Sequence, residues 1–286
     1  MAVILQEEVG TQYGDHFYPS FSGVGRSLNY YPIGDEKPEE GTVSLALGLG
    51  KYIVDGGLTL RFSPYHPNKV LQTSELDLAL RETQTRFYAL DMTNTGQDFS
   101  INDGFNLLKL SVKDAEKDGS LNFIASTFDP YDQVIRDGIY PGGRKVITFA
   151  NILQHDIFPL PRILQLSLKY GQEEMRRPVE IEFAAKLAKE QNETSTFYLL
   201  QIRPIVDAKE NLEEDLSLVP DDQLLLKSNN SLGHGIMNEM QDVVYVKTDN
   251  YNAQNNQAIA WEIERINKQF LDEDKNYILI GPGRWG

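Results

Sequence analysis

Two acidic residues have the spacing of catalytic or metal-binding carboxylates. In the segment Arg177-Pro-Val-Glu-Ile-Glu-Phe183, Glu180 and Glu182 alternate with apolar residues. A strand with this pattern directs both carboxylates to one face and its apolar side chains towards a core. The segment therefore predicts a strand that carries two negative charges on its polar face.

A second polar pair follows in Phe197-Tyr-Leu-Leu-Gln-Ile-Arg-Pro-Ile205, where Gln201 and Arg203 are also two residues apart. Simple alternation places them on one face with Phe197 and Leu199. The opposite face then holds Tyr198, Leu200 and Ile202. This pattern predicts a polar pair at the end of an otherwise apolar strand.

An antiparallel hairpin of the two segments brings two carboxylates, an amide and a guanidinium to one patch. Carboxylate and amide oxygens ligate Mg²⁺, and arginine binds phosphate oxygens through paired hydrogen bonds. The patch therefore suits a nucleoside triphosphate with Mg²⁺. Exposed Glu and Arg are also common on solvated hairpins with ordinary cross-strand ion pairs, and the residues alone leave that alternative open.

Several upstream segments are predicted to build the sheet that carries this hairpin. Residues 3–9 resemble a strand, with a turn over Gly10–Gly14, and residues 21–33 indicate a sheet edge and a hairpin. An apolar strand then runs from Val43 into glycines and a short helical turn. Gly48 and Gly50 would let backbone amides approach a ligand, although glycines at strand ends are also ordinary turn residues.

The first residues of the chain are predicted to form a strand. A chain that opens in a strand suggests a piece of a longer protein, although a short natural protein is the alternative.

The middle of the chain reads as a β-rich meander that ends in a helix. Strands are predicted over residues 105–112, 122–128 and 145–150, with Pro- and Gly-containing turns between them. Residues 160–175 have apolar side chains at near-helical spacing after Pro161, which suits a first helical turn. That helix leads into the acidic strand.

The composition changes after Pro204. Residues 207–222 are acidic and predict a surface linker. Beyond it, strands at 223–227, 242–247 and 276–280 and a helix at 255–271 predict an α/β unit that is cut short. The final Gly281-Pro-Gly-Arg-Trp-Gly286 matches a dinucleotide-binding pattern, but that pattern requires a following helix.

Composition excludes several classes of protein. The formal charge of −15 and pI near 4.7 oppose binding to nucleic acid or anionic membranes. The absence of cysteine excludes disulfides, thiolate metal sites and cysteine nucleophiles. The four histidines lack metal-ligand spacing. With no signal peptide and no run of eighteen apolar residues, we expect a cytoplasmic protein that does not span a membrane.

Residues 3–206 resemble the C-terminal portion of the ATP-grasp domain in the pyruvate phosphate dikinase and phosphoenolpyruvate synthase family. The hairpin resembles the family's Gly-x-Pro-x-Asp-Ile-Glu-(Trp or Phe) strand and its Gln-x-Arg-Pro strand. Three upstream blocks follow in the family's order: Ile4-Leu-Gln-Glu-Glu-Val9, Ser22-Gly-Val-Gly-Arg-Ser27 and Gly48-Leu-Gly-Lys-Tyr-Ile-Val-Asp-Gly-Gly57.

The resemblance implies an α+β fold. Residues 1–206 would be an ATP-grasp portion with a β-rich insertion, and residues 223–286 part of a swivel-like α/β domain after the linker. Glu182 would be a Mg²⁺ ligand and catalytic carboxylate, and Gln201 would assist at metal or phosphate. Arg203 would hold the β- and γ-phosphates of ATP. Further nucleotide-binding positions are Glu180 in place of the family's Asp, Gln6 and Glu8 at an adenine-binding hinge, and the glycines Gly48 and Gly50.

Departures from the family pattern define alternatives. Lys51 stands where the family has Glu, and Arg26 and Ser27 replace Phe-Thr. The family's first ATP-grasp subdomain has no counterpart in the chain, and His234 does not match the Thr-x-His-Ala motif of the phosphorylated histidine. The resemblance implies that ATP phosphorylates a histidine, which passes phosphate to pyruvate or another small molecule in the full-length protein, while this chain alone is inactive. A non-catalytic nucleotide-binding or regulatory module is the alternative.

Overall fold

The computed structural model describes residues 6–93, 104–188, 193–205, 219–227, 240–247 and 255–282. The chain divides into two compact units, Met1–Ile205 and Val206–Gly286. Helices and several separate sheets occur together, so the fold is α+β as predicted.

The first unit contains the acidic hairpin. Its strands are β1 (Thr11–Tyr13), β2 (His16–Tyr18), β3 (Phe21–Arg26), β4 (Thr42–Ala46), β5 (Leu60–Phe62), β6 (Arg86–Asp91), β7 (Leu107–Ser111), β8 (Ala125–Asp129), β9 (Val134–Asp137), β10 (Arg144–Ile147), β11 (Val179–Lys186) and β12 (Thr196–Pro204). Its helices are α1 (Lys51–Val54), α2 (Leu76–Glu82), α3 (Val112–Lys117), α4 (Ala150–Leu153) and α5 (Leu160–Met175).

The hairpin belongs to an antiparallel five-stranded sheet with the order β12-β11-β3-β4-β5. The prediction of a sheet edge at residues 21–33 is wrong, because β3 lies at the centre between β11 and β4. The sequence of β3 does not show that it is a central strand, because it contains small residues in place of an apolar pattern. An added Cβ at Gly23 would lie 2.2 Å from the ring of Phe183, so the absence of a side chain makes room for that ring.

Helix α5 covers the apolar face of this sheet, and its predicted span of 160–175 is confirmed. Leu164 and Leu168 are buried in the core. Near the end of the helix, an added Cβ at Gly171 would lie 2.6 Å from Ile202 on β12, so the helix approaches the hairpin closely. Because α5 packs on the face formed by the apolar residues of β11, Glu180 and Glu182 lie on the opposite face of the sheet.

The middle strands form two sheets rather than one meander. β7 pairs with β6 in the sheet β1-β2-β6-β7, whereas β8 lies between β10 and β9 in a three-stranded sheet. Helix α3 follows β7 directly and separates the two groups along the chain. The predicted strands at 122–128 and 145–150 are displaced, since β8 begins at Ala125 and Ala150 already belongs to α4.

The strand predicted at residues 3–9 is not confirmed where the structure describes it, because residues 6–10 have no regular secondary structure. The predicted turn at Gly10–Gly14 is also too wide. β1 occupies Thr11–Tyr13, and the chain reverses after it at Gly14, whose φ of 61° is favourable for glycine.

In the second unit, β13 (Asp242–Tyr245) and β14 (Tyr277–Ile280) pair in parallel and are joined through α6 (Asn256–Asp272). These three predicted elements are confirmed. The strand predicted at 223–227 is wrong: Leu225 is 81% exposed, and no strand partner covers it in the described residues. Most of the predicted linker, His234 and the last four residues of the terminal glycine motif lie outside the described residues.

Candidate functional site

The hairpin register brings the four predicted polar residues onto one face. β11 and β12 are antiparallel, with Glu180 opposite Arg203 and Glu182 opposite Gln201. Cross-strand neighbours of this kind have Cβ atoms roughly 4.5–5.5 Å apart. The two pairs lie on the face of the sheet turned away from α5.

A β-bulge in the hairpin changes which side chains of β12 share the face of Gln201 and Arg203. Gln201 lies opposite Glu182 but Leu199 lies opposite Phe183, so Leu200 is an extra residue that resets the alternation of β12. Phe197 consequently stacks on the core residue Phe183, with ring centroids 5.0 Å apart. The prediction that Phe197 and Leu199 share a face with Gln201 and Arg203 is therefore wrong.

Glu180 is held between two arginines. Its side chain is only 7% exposed. Arg26, opposite it on β3, donates from Nε to Oε2 at 2.6 Å, and Arg203 donates from Nε to Oε1 at 2.9 Å and from Nη2 to the same oxygen. Because both carboxylate oxygens already accept hydrogen bonds from arginine, Glu180 orients the arginines and is poorly placed to ligate a metal.

These contacts set the charge of the cluster. Burial alone would raise the pKa of Glu180, but the hydrogen bonds from Arg203 and Arg26 outweigh burial and lower the pKa below its ordinary value of 4.5. The hydrogen bond from Arg203 to Glu180, together with the attraction of the Glu180 charge, raises the pKa of Arg203. Glu180 and Arg203 are therefore both charged at neutral pH.

We expect Glu180→Gln to lower the free energy of unfolding by about 1–3 kcal/mol at pH 7, because it removes the charge that faces both arginines. The loss is smaller than for a fully buried pair because solvent screens the half-exposed guanidinium groups. The folded-state pKa is lowered, so the stabilisation is complete above the unfolded pKa and disappears as pH falls through the folded value. Urea denaturation should show a difference between the proteins that narrows from pH 7 towards pH 3. A difference that stays constant would contradict this role.

Glu182 differs from Glu180 in the partners of its carboxylate. It is partly buried, and its carboxylate has neither a hydrogen bond nor an ion pair with any residue that the structure describes. Its charge reaches Arg203 and contributes to the raised pKa of that guanidinium. Opposite it, Gln201 is exposed to solvent. An unengaged carboxylate beside an exposed amide presents oxygen atoms to a ligand.

The donor atoms of this pair would be carboxylate and amide oxygens, which are ligand types that suit Mg²⁺. In the described ranges, no group of three His, Cys, Asp or Glu side chains is arranged to hold a metal ion. Mg²⁺ is usually bound through one or two protein carboxylates, with water and substrate phosphates completing its ligands. Glu182 and Gln201 would hold the ion on the protein side.

A narrow crevice lies beside the hairpin, next to Glu182 along β11. It has a volume of about 90 Å³ and is lined by Gln6, Glu7, Glu8, Val9, Pro19, Ser22, Leu49, Gly50, Ala184 and Leu200. The Gln6 amide donates from Nε2 to the carbonyl oxygen of Leu200 at 3.5 Å, and partial desolvation raises the pKa of Glu8. Complete ligand pockets usually enclose about 300–1,000 Å³, so this crevice alone is too small to enclose a nucleotide.

The two predicted glycines have different environments. Gly50 lines the crevice at the start of α1. Gly48 has a φ of 83°, and an added Cβ would lie 2.6 Å from the carbonyl oxygen of Tyr88. Its own carbonyl accepts a hydrogen bond of 2.7 Å from Ser22 Oγ. Glycine is therefore required at 48 by the backbone and by contact with β6, whereas Gly50 remains a candidate for ligand contact.

The crevice, the free carboxylate and the arginine pair follow one another along β11. Ala184 lines the crevice, and Glu182 and Glu180 lie on the same face two and four residues earlier. Residues two apart in a strand are separated by about 6.6 Å. Sequence reasoning noted Arg26 only as a departure from a family pattern and missed its place beside Glu180, because the contact joins residues far apart in the chain.

Comparison with models of known protein families gives a match over most of the chain. The model of the family described as pyruvate phosphate dikinase, AMP/ATP-binding domain, matches residues 1–218. The match includes the five-stranded sheet, the crevice and the hairpin. No curated protein shows significant similarity to the chain. Among the described helices, none combines the length and apolar character needed to cross a membrane.

Proposed function

Because the chain belongs to the pyruvate phosphate dikinase AMP/ATP-binding domain family, we propose that the polar face of its hairpin is one wall of an ATP and Mg²⁺ site. The intact protein would cleave ATP between its α- and β-phosphates, so that AMP leaves, one phosphoryl group stays on a histidine and the terminal phosphate passes to water or inorganic phosphate. The histidine would then pass its phosphoryl group to pyruvate or a related acceptor. The observation that carries the proposal is the contrast between Glu182, which has no partner among the described residues, and Glu180, which holds the neighbouring Arg203 in place.

The order of features along β11 supports one orientation of the nucleotide. The adenine would occupy the crevice beside Gln6 and Glu8, and the phosphates would extend past Glu182 towards Arg203. Glu182 and Gln201 would hold Mg²⁺, which when bound neutralises phosphate charge. Arg203 would bind the β- and γ-phosphates with donors that Glu180 leaves unused.

The chemistry required of these side chains is mainly electrostatic. Negative charge spreads over the transferred phosphoryl group, so fixed cations and correct positioning matter more than a protein nucleophile. Glu180 contributes by fixing one arginine before the substrate arrives, which avoids reorganisation during the reaction. The half-exposed guanidinium of Arg203 remains open to a ligand.

The test is to incubate the intact protein with ATP and Mg²⁺ and to separate the adenine nucleotides by chromatography. The proposal predicts AMP, which disappears when EDTA removes Mg²⁺. A non-catalytic nucleotide-binding module, suggested by Lys51 in place of the family's Glu, predicts ATP binding without AMP. If the protein neither binds ATP nor forms AMP, both candidate functions are wrong.

A further inference from the structure

Arg26 lies on the same face as the proposed phosphate-binding residue. It is opposite Glu180 on one side, as Arg203 is on the other, so the two guanidinium groups flank a single carboxylate. The side chain of Arg26 is 46% exposed and that of Arg203 is 58% exposed. The two cations are therefore accessible from the same side of the sheet.

Most hydrogen-bond donors of this pair are unused. A guanidinium has five N–H donors. Within the described residues Arg26 uses only Nε, towards Oε2 of Glu180, and both terminal nitrogens are left without a protein partner. Arg203 uses Nε and Nη2 towards Oε1 and leaves Nη1 without one. The cluster can therefore donate to a further anion while it keeps its own ion pairs.

Its charge balance also favours an anion. Two guanidinium groups face one carboxylate, which leaves one positive charge in a chain whose formal net charge is −15. A partly desolvated cation pair of this kind attracts phosphate oxygens. The nearby Glu182 is the proposed Mg²⁺ ligand, so its charge would be offset by the ion.

We propose that Arg26 is a second phosphate-binding residue, which contacts the polyphosphate of the bound nucleotide from β3 while Arg203 contacts it from β12. This inference rests on the proposed function, since it assigns a further contact within the same site. The ligand class is a nucleoside di- or triphosphate, because a chain of phosphates offers separate oxygens to the two arginines while Glu180 stays bonded between them.

Arg26 has a purely structural alternative role, which is to position Glu180 and through it Arg203. The two roles differ when Glu180 is changed. If Arg26 acts only through Glu180, its substitution has no further effect in a Glu180→Gln background. If Arg26 contacts phosphate, its substitution weakens binding in both backgrounds.

Calorimetric titration of the intact protein with ATP and with AMP, in the presence of Mg²⁺, separates these roles. We expect Arg26→Gln to weaken ATP binding by about tenfold and AMP binding by less than about twofold, because the variant loses a charge-assisted hydrogen bond to phosphates that AMP does not have. Arg26→Lys keeps the charge but loses the forked geometry, and should show a smaller loss of affinity. The loss from Arg26→Gln should persist in the Glu180→Gln background.

Arg136→Gln is the matched control, because Arg136 is similarly exposed and paired with carboxylates but lies on β9 in another sheet. Thermal unfolding of each variant verifies that it is folded. Wild-type affinity in Arg26→Gln, an equal loss for ATP and AMP, or no additional loss in the Glu180→Gln background would overturn the assignment. Failure of the wild-type protein to bind ATP would instead reject the proposed function, and the assignment of Arg26 with it.

Discussion

Replacing Glu182 by Gln is expected to lower the rate of AMP formation by at least about a hundredfold while leaving the fold intact. Loss of one charged or hydrogen-bonding group that stabilises a transition state commonly costs about 10²–10³ in rate. Glutamine has nearly the same shape as glutamate but does not replace a charged Mg²⁺ ligand. Since no described residue bonds to the Glu182 carboxylate, the change leaves no orphaned partner in the sheet. The initial rate of AMP release from saturating ATP and Mg²⁺ is the measurement.

Glu174→Gln provides the control for this experiment. Glu174 is an exposed residue of α5, the helix that covers the opposite face of the sheet, and its neutralisation changes the net charge equally. The control should keep wild-type activity. AMP formation by Glu182→Gln at the wild-type rate would reject Glu182 as the catalytic carboxylate, whatever the behaviour of the control.

The second large effect is expected for Phe183→Ala, which should lower the free energy of unfolding. The Phe183 ring is fully buried, stacks on Phe197 and occupies the space above Gly23 on the central strand. Removing such a ring typically costs about 3–5 kcal/mol through lost burial and a residual cavity. Urea unfolding followed by near-UV circular dichroism of the aromatic side chains should show this loss.

Phe183→Leu tests whether the ring or only apolar volume is needed. It keeps most of the buried surface, so its loss should be well below that of Phe183→Ala. Because Phe183 directly follows Glu182 at the bulge, its packing also holds the register of the two site strands. A loss below about 1 kcal/mol in Phe183→Ala would show that this contact does not support the hairpin.

The hairpin and helix α5 could be predicted because their signals are local. Glu180 and Glu182 alternate with apolar residues, which determines their common face once the segment is a strand. The helix has apolar side chains at helical spacing and a proline in its first turn, where no amide donor is required. These patterns depend on neighbours within a few residues of the chain.

Other features of the fold and of the site could not be predicted, because they depend on contacts between segments that are distant in the chain. The bulge at Leu200 appears only when β12 is paired with β11, and it decides which side chains join Gln201 and Arg203. The central position of β3 was hidden because Gly23 contributes space rather than an apolar side chain. Likewise, the contact between Arg26 and Glu180 joins residues 154 positions apart, and no local pattern indicates it.

A crystal structure of the intact protein with Mg²⁺ and a non-hydrolysable ATP analogue tests the central claim most directly. We predict a metal ion bonded to the Glu182 carboxylate, phosphates beside Arg203, and the adenine in the crevice lined by Gln6 and Glu8. A nucleotide bound away from the polar face of β11 and β12, with Glu182 contacting neither metal nor phosphate, would contradict the proposed site.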